Sequence, residues 1–268
     1  MCLATNGLLV TPKICEKIKK SGIQMISLSL DGSTDSVHDD FRQQPGAFQA
    51  TIRAAEYFNE HHMDFLINSS FTKRNQHDIA KCFKLAKSLG AKAWYLFMVI
   101  PTGHGEALLN ELISEKYYQE ILDWHCELEE KHSDILLRPT CAPHYYRVRF
   151  EKEKKKKSFK KHPSLSLSPS GRKGCLAGQH IALLDAEGNI QPCSYFPLSA
   201  GNIRHENFQT IWESYNLMRS LRDFSQYKDR CGECEFIKIC GDCRARAHVM
   251  NNNFLAQDPF CSYTPSRR

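Results

Sequence analysis

The chain has 268 residues, 41% of them hydrophobic and 25% charged, with a formal net charge of +6, and this length suits one large domain or two smaller ones. Its longest apolar stretch, near Ala93–Ile100, is far shorter than the ~20 residues of a membrane span, and no secretory signal is recognisable. We therefore expect a cytoplasmic protein with no membrane partner, whose cysteines bind metal or do redox chemistry rather than form disulfides.

In the first half of the chain, short apolar strands alternate with amphipathic helices. Such alternation is typical of parallel βαβ units in an α/β fold. The predicted strands are Leu3–Gly7, Met25–Leu30, Phe65–Phe71 and Trp94–Pro101. The predicted helices are Pro12–Lys20, Phe48–Glu60, His77–Leu89 and Ser114–Lys131.

Each of these strands ends in polar or glycine-rich residues. The four ends contain Thr5–Gly7, Ser29–Gly32, Asn68–Ser70 and Pro101–Gly103. Ligands of parallel sheets gather at the carboxyl ends of the strands. Turn chemistry explains any one of these ends equally well, so the prediction of a cofactor-binding rim depends on the coincidence of all four.

Most of the positive charge lies in one stretch, 151–161, whose seven lysines and two glutamates contribute +5 of the total of +6. A nucleic-acid-binding surface would spread basic residues over a face and place aromatic residues among them. We therefore interpret this stretch, with the HPSLSLSPSG that follows, as a solvated linker, and we expect no nucleic-acid partner. The chain then divides into a first region 1–138, a connecting segment 139–172 and a cysteine-rich region 173–268.

Beyond the linker, Ile181–Leu184 and Asn189–Pro192 are predicted to form a hairpin that brings Cys175 and Cys193 together. Further helices are predicted over 208–215 and 244–250. A loop-rich region with so little apolar periodicity needs bound metal to hold it together.

Seven of the twelve cysteines lie in the last 94 residues, and four of them form a C-x2-C-x5-C-x2-C run, CGECEFIKICGDC. Such short gaps allow several thiolates to converge on a soft metal or an iron–sulfur cluster. The seven are Cys175, Cys193, Cys231, Cys234, Cys240, Cys243 and Cys261.

Two kinds of metal site remain open on spacing alone, and iron–sulfur is favoured over zinc. A zinc ribbon would use the two C-x2-C pairs and leave three of the seven cysteines without a role. Two iron–sulfur clusters would use all seven and an eighth ligand, for which Cys141 in RPTCAPHYYR is the candidate, although an inert structural thiol fits it equally well. The other four cysteines are interpreted as small core residues: Cys2, Cys15, Cys82 and Cys126.

This cysteine pattern resembles that of radical S-adenosylmethionine (SAM) enzymes with a C-terminal SPASM domain. That family has C-x9–15-G-x4-C, then C-x2-C-x5-C-x3-C and a final cysteine. Cys175, Gly188 and Cys193 match the first part, and the later five cysteines match the second, except that only two residues separate Cys240 from Cys243. The shorter gap, with CRARA, AGNIR, LRD and CAPHYYR, resembles the haem-synthesis branch of the family.

The resemblance implies a partial (β/α)6 barrel, with about four of its strands recognisable here, followed by a small loop-rich iron–sulfur domain. It implies an oxidoreductase-type enzyme that decarboxylates or deacetylates a sirohaem-derived tetrapyrrole, or builds the specialised haem of nitrite reductase, with an electron donor such as ferredoxin or flavodoxin. The alternatives are a SPASM enzyme that matures peptides or sulfatases, and a non-catalytic module that binds zinc or an iron–sulfur cluster.

Members of this family begin with a C-x3-C-x2-C loop that holds the 4Fe-4S cluster which cleaves SAM. No such spacing occurs in the 268 residues. LATNG resembles the family's third strand, so we expect the first two strands and the cluster loop to be absent. The chain alone is then expected to be inactive, whereas the intact enzyme carries SAM and a third 4Fe-4S cluster.

Position by position, the resemblance implies two auxiliary sites, each for a 4Fe-4S cluster. Cys175, Cys193 and Cys243 form one, with Cys141 or an open coordination position as the fourth member. The other consists of Cys231, Cys234, Cys240 and Cys261.

The resemblance also implies residues that contact SAM and substrate. Ser29, Asp31 and Asn68 match positions that line the SAM pocket. Arg42 lies in a loop that reaches the substrate, with an ordinary surface arginine as the alternative. Substrate carboxylates are expected to bind His104, His144 and Arg147. No catalytic residue is assigned.

Overall fold

The computed structural model describes residues 1–155 and 174–266. Its larger layer is a sheet of five parallel strands that lie side by side in chain order. Each connection between neighbouring strands contains a helix, as parallel pairing requires. The strands are β1 (Cys2–Thr5), β2 (Met25–Ser29), β3 (Phe65–Phe71), β4 (Ala93–Met98) and β5 (Leu136–Thr140).

In the described part of the chain, six α-helices accompany this sheet. The side chain of Thr11 accepts a hydrogen bond from the Ile14 N–H and starts the first helix, and Ser114 does the same for the fifth through Tyr117. The helices are α1 (Pro12–Lys20), α2 (Asp35–Arg42), α3 (Ala47–Glu60), α4 (Ile79–Ser88), α5 (Glu115–Lys131) and α6 (Tyr145–Lys155). Short 3-10 helices cover Gln76–Asp78 and Gly103–Glu111.

One face of the sheet is buried under the helices. Leu28, Ile67, Trp94 and Leu137 are completely buried there, in a single core that includes Phe83 of α4. Because side chains alternate along a strand, the residue after each of these points to the opposite face of the sheet. That opposite face is the one on which polar residues meet, as described below.

The C-terminal region is built from short elements. Its antiparallel sheet contains β6 (Leu183–Leu184), β7 (Asn189–Gln191) and β8 (Gly201–Asn202). The β6–β7 turn is fixed by Asp185, whose Oδ1 accepts the N–H of Asn189 at 2.8 Å, and by Gly188 with φ of 93°. The helices are α7 (Phe208–Ser214), α8 (Asn216–Arg222), α9 (Asp229–Gly232), α10 (Ile237–Cys240) and α11 (Arg244–Asn251).

The segment that begins at Gly174 is attached to α10 within the C-terminal region. The Gly174 N–H donates to the Ile239 carbonyl at 2.7 Å, and the Cys175 N–H donates to the Cys240 carbonyl at 2.9 Å. An alanine Cβ at position 174 would overlap the Cys240 carbonyl and lie 2.7 Å from Pro143 Cβ, so only glycine fits there. Over the described ranges, no helix combines the length and the apolar character that a membrane crossing requires.

The four predicted strands and the helices predicted with them are present within a few residues of their predicted bounds, and so is the predicted hairpin. Four short elements of the C-terminal region were not predicted, β8, α8, α9 and α10, and neither were three elements before residue 156. Strand β5 makes the sheet five-stranded rather than four-stranded, α2 replaces the loop expected around Arg42, and α6 lies inside the predicted connecting segment. The rest of the predicted connecting segment, 156–172, lies outside the described residues.

One of the four cysteines interpreted as core residues is not buried. Cys2 is exposed on strand β1, which has a neighbouring strand on only one side in the described sheet. Cys15, Cys82 and Cys126 are buried in the main core, as predicted.

Candidate functional site

A row of polar side chains crosses the face of the sheet that the helices leave uncovered. In the strand register, Ser29 is paired with Asn68, Asn68 with Tyr95, and Tyr95 with Arg138. These four residues are half-buried or exposed, in contrast to the completely buried residues that precede them. The row therefore joins two residues of the predicted SAM pocket to two that the sequence did not indicate.

Asn68 has one half of its amide available. Its Nδ2 donates to Ser27 Oγ, whereas its Oδ1 is buried and has no hydrogen-bond partner in the described part of the chain. A buried, unpaired carbonyl is unfavourable unless a ligand supplies the missing donor. This side chain is accordingly suited to accept a hydrogen bond from a molecule on the open face.

Asp31, immediately beyond β2, acts as a brace. Its carboxylate forms an ion pair with Arg42 Nε and accepts the Ser70 N–H at 2.6 Å, and its own N–H donates to His38 Nδ1 at 2.9 Å. Burial raises the pKa of Asp31, with Arg42 opposing the shift. The residue is completely buried, so its contacts are to the protein itself and connect the ends of β2 and β3 to α2.

Arg42 takes part in this brace, although about a third of its side chain remains exposed. Burial, followed by the nearby Arg42 charge, lowers the pKa of His38 to about 4. His38 is therefore neutral at ordinary pH, and because Nδ1 accepts the Asp31 N–H, its proton is on Nε2.

The three residues expected to bind substrate carboxylates lie in three different environments. His104 is exposed in the 3-10 helix Gly103–Glu111. His144 is completely buried. Arg147 is 6% exposed, with its terminal nitrogens bound to Glu151 and Gln119 at 2.7 and 2.6 Å. The three residues therefore differ in exposure and in the partners that they already have.

One group of four cysteines surrounds a cavity of about 210 Å³ beside the end of β5. Its members are Cys141, Cys175, Cys193 and Cys243. Burial raises the pKa of Cys193 to about 11 and that of Cys141 to about 12, and the nearby cysteines add to both shifts. Cys141 has φ of 56°, in the left-handed region that a side chain other than glycine rarely adopts. The backbone holds this thiol in the group at a conformational cost.

A second group of four lies around the single-turn helices α9 and α10: Cys231, Cys234, Cys240 and Cys261. Burial raises the pKa of Cys240 to about 12, and it also raises the pKa of Cys234. The nearby Cys261 adds to both shifts. The Cys234 N–H donates to the Cys231 carbonyl, and Arg230 Nη2 holds the Cys261 carbonyl at 2.9 Å. These bonds fix the backbone on both sides of the group.

A buried network of charges separates the two groups. Asp242, between Cys240 and Cys243 in sequence, forms an ion pair with His144 Nε2 and a second one with Arg244 at 2.8 Å. Burial works against charge on both partners, but Tyr118 and Asp242 raise the pKa of His144 well above its usual value. His144 and Arg244 in turn hold the pKa of Asp242 well below its usual value.

Arg246 and Asp258 form the second part of this network. They make a two-pronged ion pair, with Nε–Oδ1 at 2.8 Å and Nη2–Oδ2 at 2.5 Å, and Arg246 also donates to the Cys141 carbonyl at 3.2 Å. Its guanidinium lies 4.3 Å from the ring centre of Phe260. The network is a scaffold between the two cysteine groups, since its charges are paired with one another.

The donor set fits iron–sulfur clusters. All the cysteines are free thiols, and eight of them form two groups of four. A buried thiol with a raised pKa is neutral, and a soft metal that replaces its proton turns it into a ligand. His144, Cys240 and Asp242 also place possible ligand atoms within 4.8 Å of one another, but His144 and Asp242 already pair with each other.

Cysteine spacing indicated seven of these eight thiols directly, but sequence reasoning missed other parts of the site. Tyr95 and Arg138 belong to the site because of the strand register, which no local sequence pattern indicates. The buried arginines of CRARA were noticed only as part of a resemblance, and their pairing with Asp242 and Asp258 depends on the fold.

Comparison with known proteins identifies both regions. Residues 1–86 match the model of the radical SAM superfamily, and residues 175–244 match that of the iron–sulfur cluster-binding SPASM domain. The chain is 41% identical over 269 residues to the AdoMet-dependent heme synthase of Methanosarcina barkeri (strain Fusaro / DSM 804), covering 99% of this chain and 75% of that protein. It is 37% identical over 271 residues to the AdoMet-dependent heme synthase of Nitratidesulfovibrio vulgaris Hildenborough, covering 99% and 72%.

Solved structures share the fold. Streptococcus suis SuiB bound to precursor peptide SuiA superimposes with a TM-score of 0.70 at 17% identity, covering 98% of this chain and 58% of that one. At this identity the likeness concerns the fold alone.

Proposed function

The chain belongs to the radical SAM enzymes with a SPASM domain, in the haem-synthesis branch, and from that premise we propose that it takes part in removing side-chain carbons from a sirohaem-derived tetrapyrrole. The observation that carries the proposal is the 41% identity to an AdoMet-dependent heme synthase along 99% of the chain. Decarboxylation or deacetylation of the substrate is the reaction class that we infer.

We propose SAM as a ligand of the uncovered face of the sheet, at the end of the polar row that begins with Ser29. The unpaired Oδ1 of Asn68 supports this placement, because it can accept a hydrogen bond from the methionine ammonium or from a ribose hydroxyl. Asp31 contributes indirectly, as a brace that fixes the strand ends.

The two cysteine groups are proposed to hold two auxiliary 4Fe-4S clusters. Cys141, Cys175, Cys193 and Cys243 would hold one, and Cys231, Cys234, Cys240 and Cys261 the other. Such clusters supply one-electron chemistry when bound. The chain's part is to exclude water from the thiols and, through Arg244 and Arg246, to place positive charge beside them.

The reductive cleavage of SAM needs a further cluster whose C-x3-C-x2-C ligands are not among these 268 residues. We therefore propose that the chain as given does not cleave SAM by itself. An external one-electron donor of the ferredoxin or flavodoxin type is proposed as partner, and the cytoplasm as its location.

Ligand binding tests the proposed substrate class. The anaerobically reconstituted chain should bind an iron porphyrin that carries propionate side chains, in a saturable absorbance titration with one site per chain. Binding of a cysteine-containing precursor peptide instead of the porphyrin would support the peptide-maturing alternative and overturn the proposal.

A further inference from the structure

We propose that Arg138 is the residue that binds a carboxylate of the substrate, beside the cavity of the first cysteine group. This inference rests on the proposed function and deepens it, since it names the contact that selects an acidic tetrapyrrole side chain. Arg138 lies on β5, at the opposite end of the polar row from Ser29.

The first supporting observation is that Arg138 has no acidic partner. Its guanidinium stacks over the ring of Tyr95, 5.6 Å from the centroid, and it forms no ion pair within residues 1–155 and 174–266. The two undescribed stretches, 156–173 and 267–268, contain no aspartate or glutamate. The stacked position leaves the hydrogen-bond donors at the edge of the guanidinium available.

The two buried arginines of this region, Arg244 and Arg246, differ from the exposed Arg138 in this respect. Arg244 is paired with Asp242 and Arg246 with Asp258. The charges that accompany the cysteine groups are therefore matched inside the protein. Arg138 supplies an exposed positive charge that no carboxylate of the described residues matches.

The second observation is the cavity next to it. Arg138 lines the same 210 Å³ space as Tyr146 and Thr140, and Thr140 Oγ1 is buried without a hydrogen-bond partner in the described structure. A guanidinium and an unpaired hydroxyl in one wall match the two oxygens of a carboxylate. A few polar groups in the wall of a mostly apolar pocket are a usual way to orient a ligand.

The row sets the direction in which such a ligand lies. Ser29 and Arg138 are separated by three strand spacings, roughly 14 Å across the sheet. A substrate whose carboxylate is held at Arg138 extends over Tyr95 toward Asn68 and Ser29. Its flat ring system then lies along the uncovered face, between the SAM end of the row and the cysteine cavity.

The experiment compares two probes, iron coproporphyrin III and its tetramethyl ester, by absorbance titration of the anaerobically reconstituted chain. Arg138→Gln should weaken binding of the acid about ten- to a hundredfold, because a charge-assisted hydrogen bond is lost, and should leave binding of the ester unchanged. Arg138→Lys should restore part of the loss. Arg53→Gln, which removes an exposed arginine on the helical side, should match the unsubstituted chain.

Iron per chain should be the same in all variants, because Arg138 is proposed to bind substrate. If Arg138 instead supported the cysteine groups, its loss would lower the iron content. Unchanged binding of the acid by Arg138→Gln would overturn this inference and leave the proposed function standing. A loss of iron in parallel with the loss of affinity for the acid would do the same. Failure of the unsubstituted chain to bind either probe would overturn the proposed substrate class, and this inference with it.

Discussion

At the scale of single residues, the eight clustered thiols differ from the four outlying ones in their surroundings. Each clustered thiol has other thiols nearby, whereas Cys82 is enclosed by Ser69 and the Leu30 carbonyl, at 3.4 and 3.3 Å. A buried thiol of the second kind behaves as a small core side chain. This difference makes the assignment of ligands testable one residue at a time.

We expect Cys234→Ala and Cys240→Ala each to remove about one cluster's iron and sulfide and to destabilise the C-terminal region by several kcal/mol, because metal binding and folding are coupled there. Iron, sulfide and zinc per chain after anaerobic purification provide the measurement. Cys82→Ala and Cys15→Ala are the matched controls and should retain full iron. Equal losses in all four variants, or a chain that holds one zinc and no iron, would contradict the assignment.

His38 gives a prediction about pH. Its pKa is about 4 in the folded chain and near 6.5 when unfolded, so the unfolded state binds more protons between these values. Stability from the neutral imidazole is present above about pH 6.5 and is lost as the pH falls toward 4, by up to about 3 kcal/mol. His38→Asn keeps an acceptor for the Asp31 N–H and removes the titration. Chemical denaturation across this range should therefore show a smaller pH dependence in the variant than in the unsubstituted chain, and identical slopes would refute the prediction.

At the scale of elements, the segment from Gly174 to Cys175 bonds to α10 and positions one member of the first cysteine group. We expect Gly174→Ala to weaken this attachment, since the new Cβ has no space beside the Cys240 carbonyl and Pro143. The variant should lose both stability and iron.

Gly22→Ala is the control for this prediction. Gly22 has φ of 76° and open space around it, so alanine there should cost only about 1 kcal/mol in backbone strain and leave the iron content unchanged. Thermal unfolding and iron per chain are measured for both variants and compared. Equal effects would show that the 174 attachment is unimportant.

How well each element could be predicted follows from its local chemistry. Strand β3 was predicted at its observed bounds because an apolar run between turns is a strong signal. Strand β5 reads LLRPT, and its arginine and Pro139 argue against a strand, yet β5 lies at an edge of the sheet, where proline is tolerated. Helix α6 was hidden by the lysine-rich stretch that begins within it.

The candidate site divides in the same way. Cysteine spacing is local, so the thiols were found from the sequence. The partners of Arg138 and of His144 come from residues distant in the chain, such as Tyr95 and Asp242, and only the fold brings them together.

At the scale of the whole molecule, the residues present set what the chain can do alone. We expect no deoxyadenosine from SAM and a strong reductant, even when both auxiliary sites are loaded, because no three-cysteine loop leaves an iron open for the methionine group. Chromatographic detection of deoxyadenosine is the measurement.

A chimera that carries a C-x3-C-x2-C loop and its strands from a radical SAM relative ahead of Met1 should cleave SAM and release side-chain carbons from a sirohaem-derived substrate. Changing the three loop cysteines to alanine in that chimera provides the matched control. Deoxyadenosine from the unextended chain would contradict the expectation.

The left-handed backbone at Cys141 has an evolutionary consequence. Glycine adopts this conformation without strain, and asparagine adopts it more readily than most residues, so either would relieve the local strain that cysteine imposes there. In the chain without metal, glycine at position 141 would therefore be more stable than cysteine, whereas the proposed cluster needs the thiol. Cysteine retained at this position in spite of its backbone strain is then what the proposed ligand role predicts for related sequences.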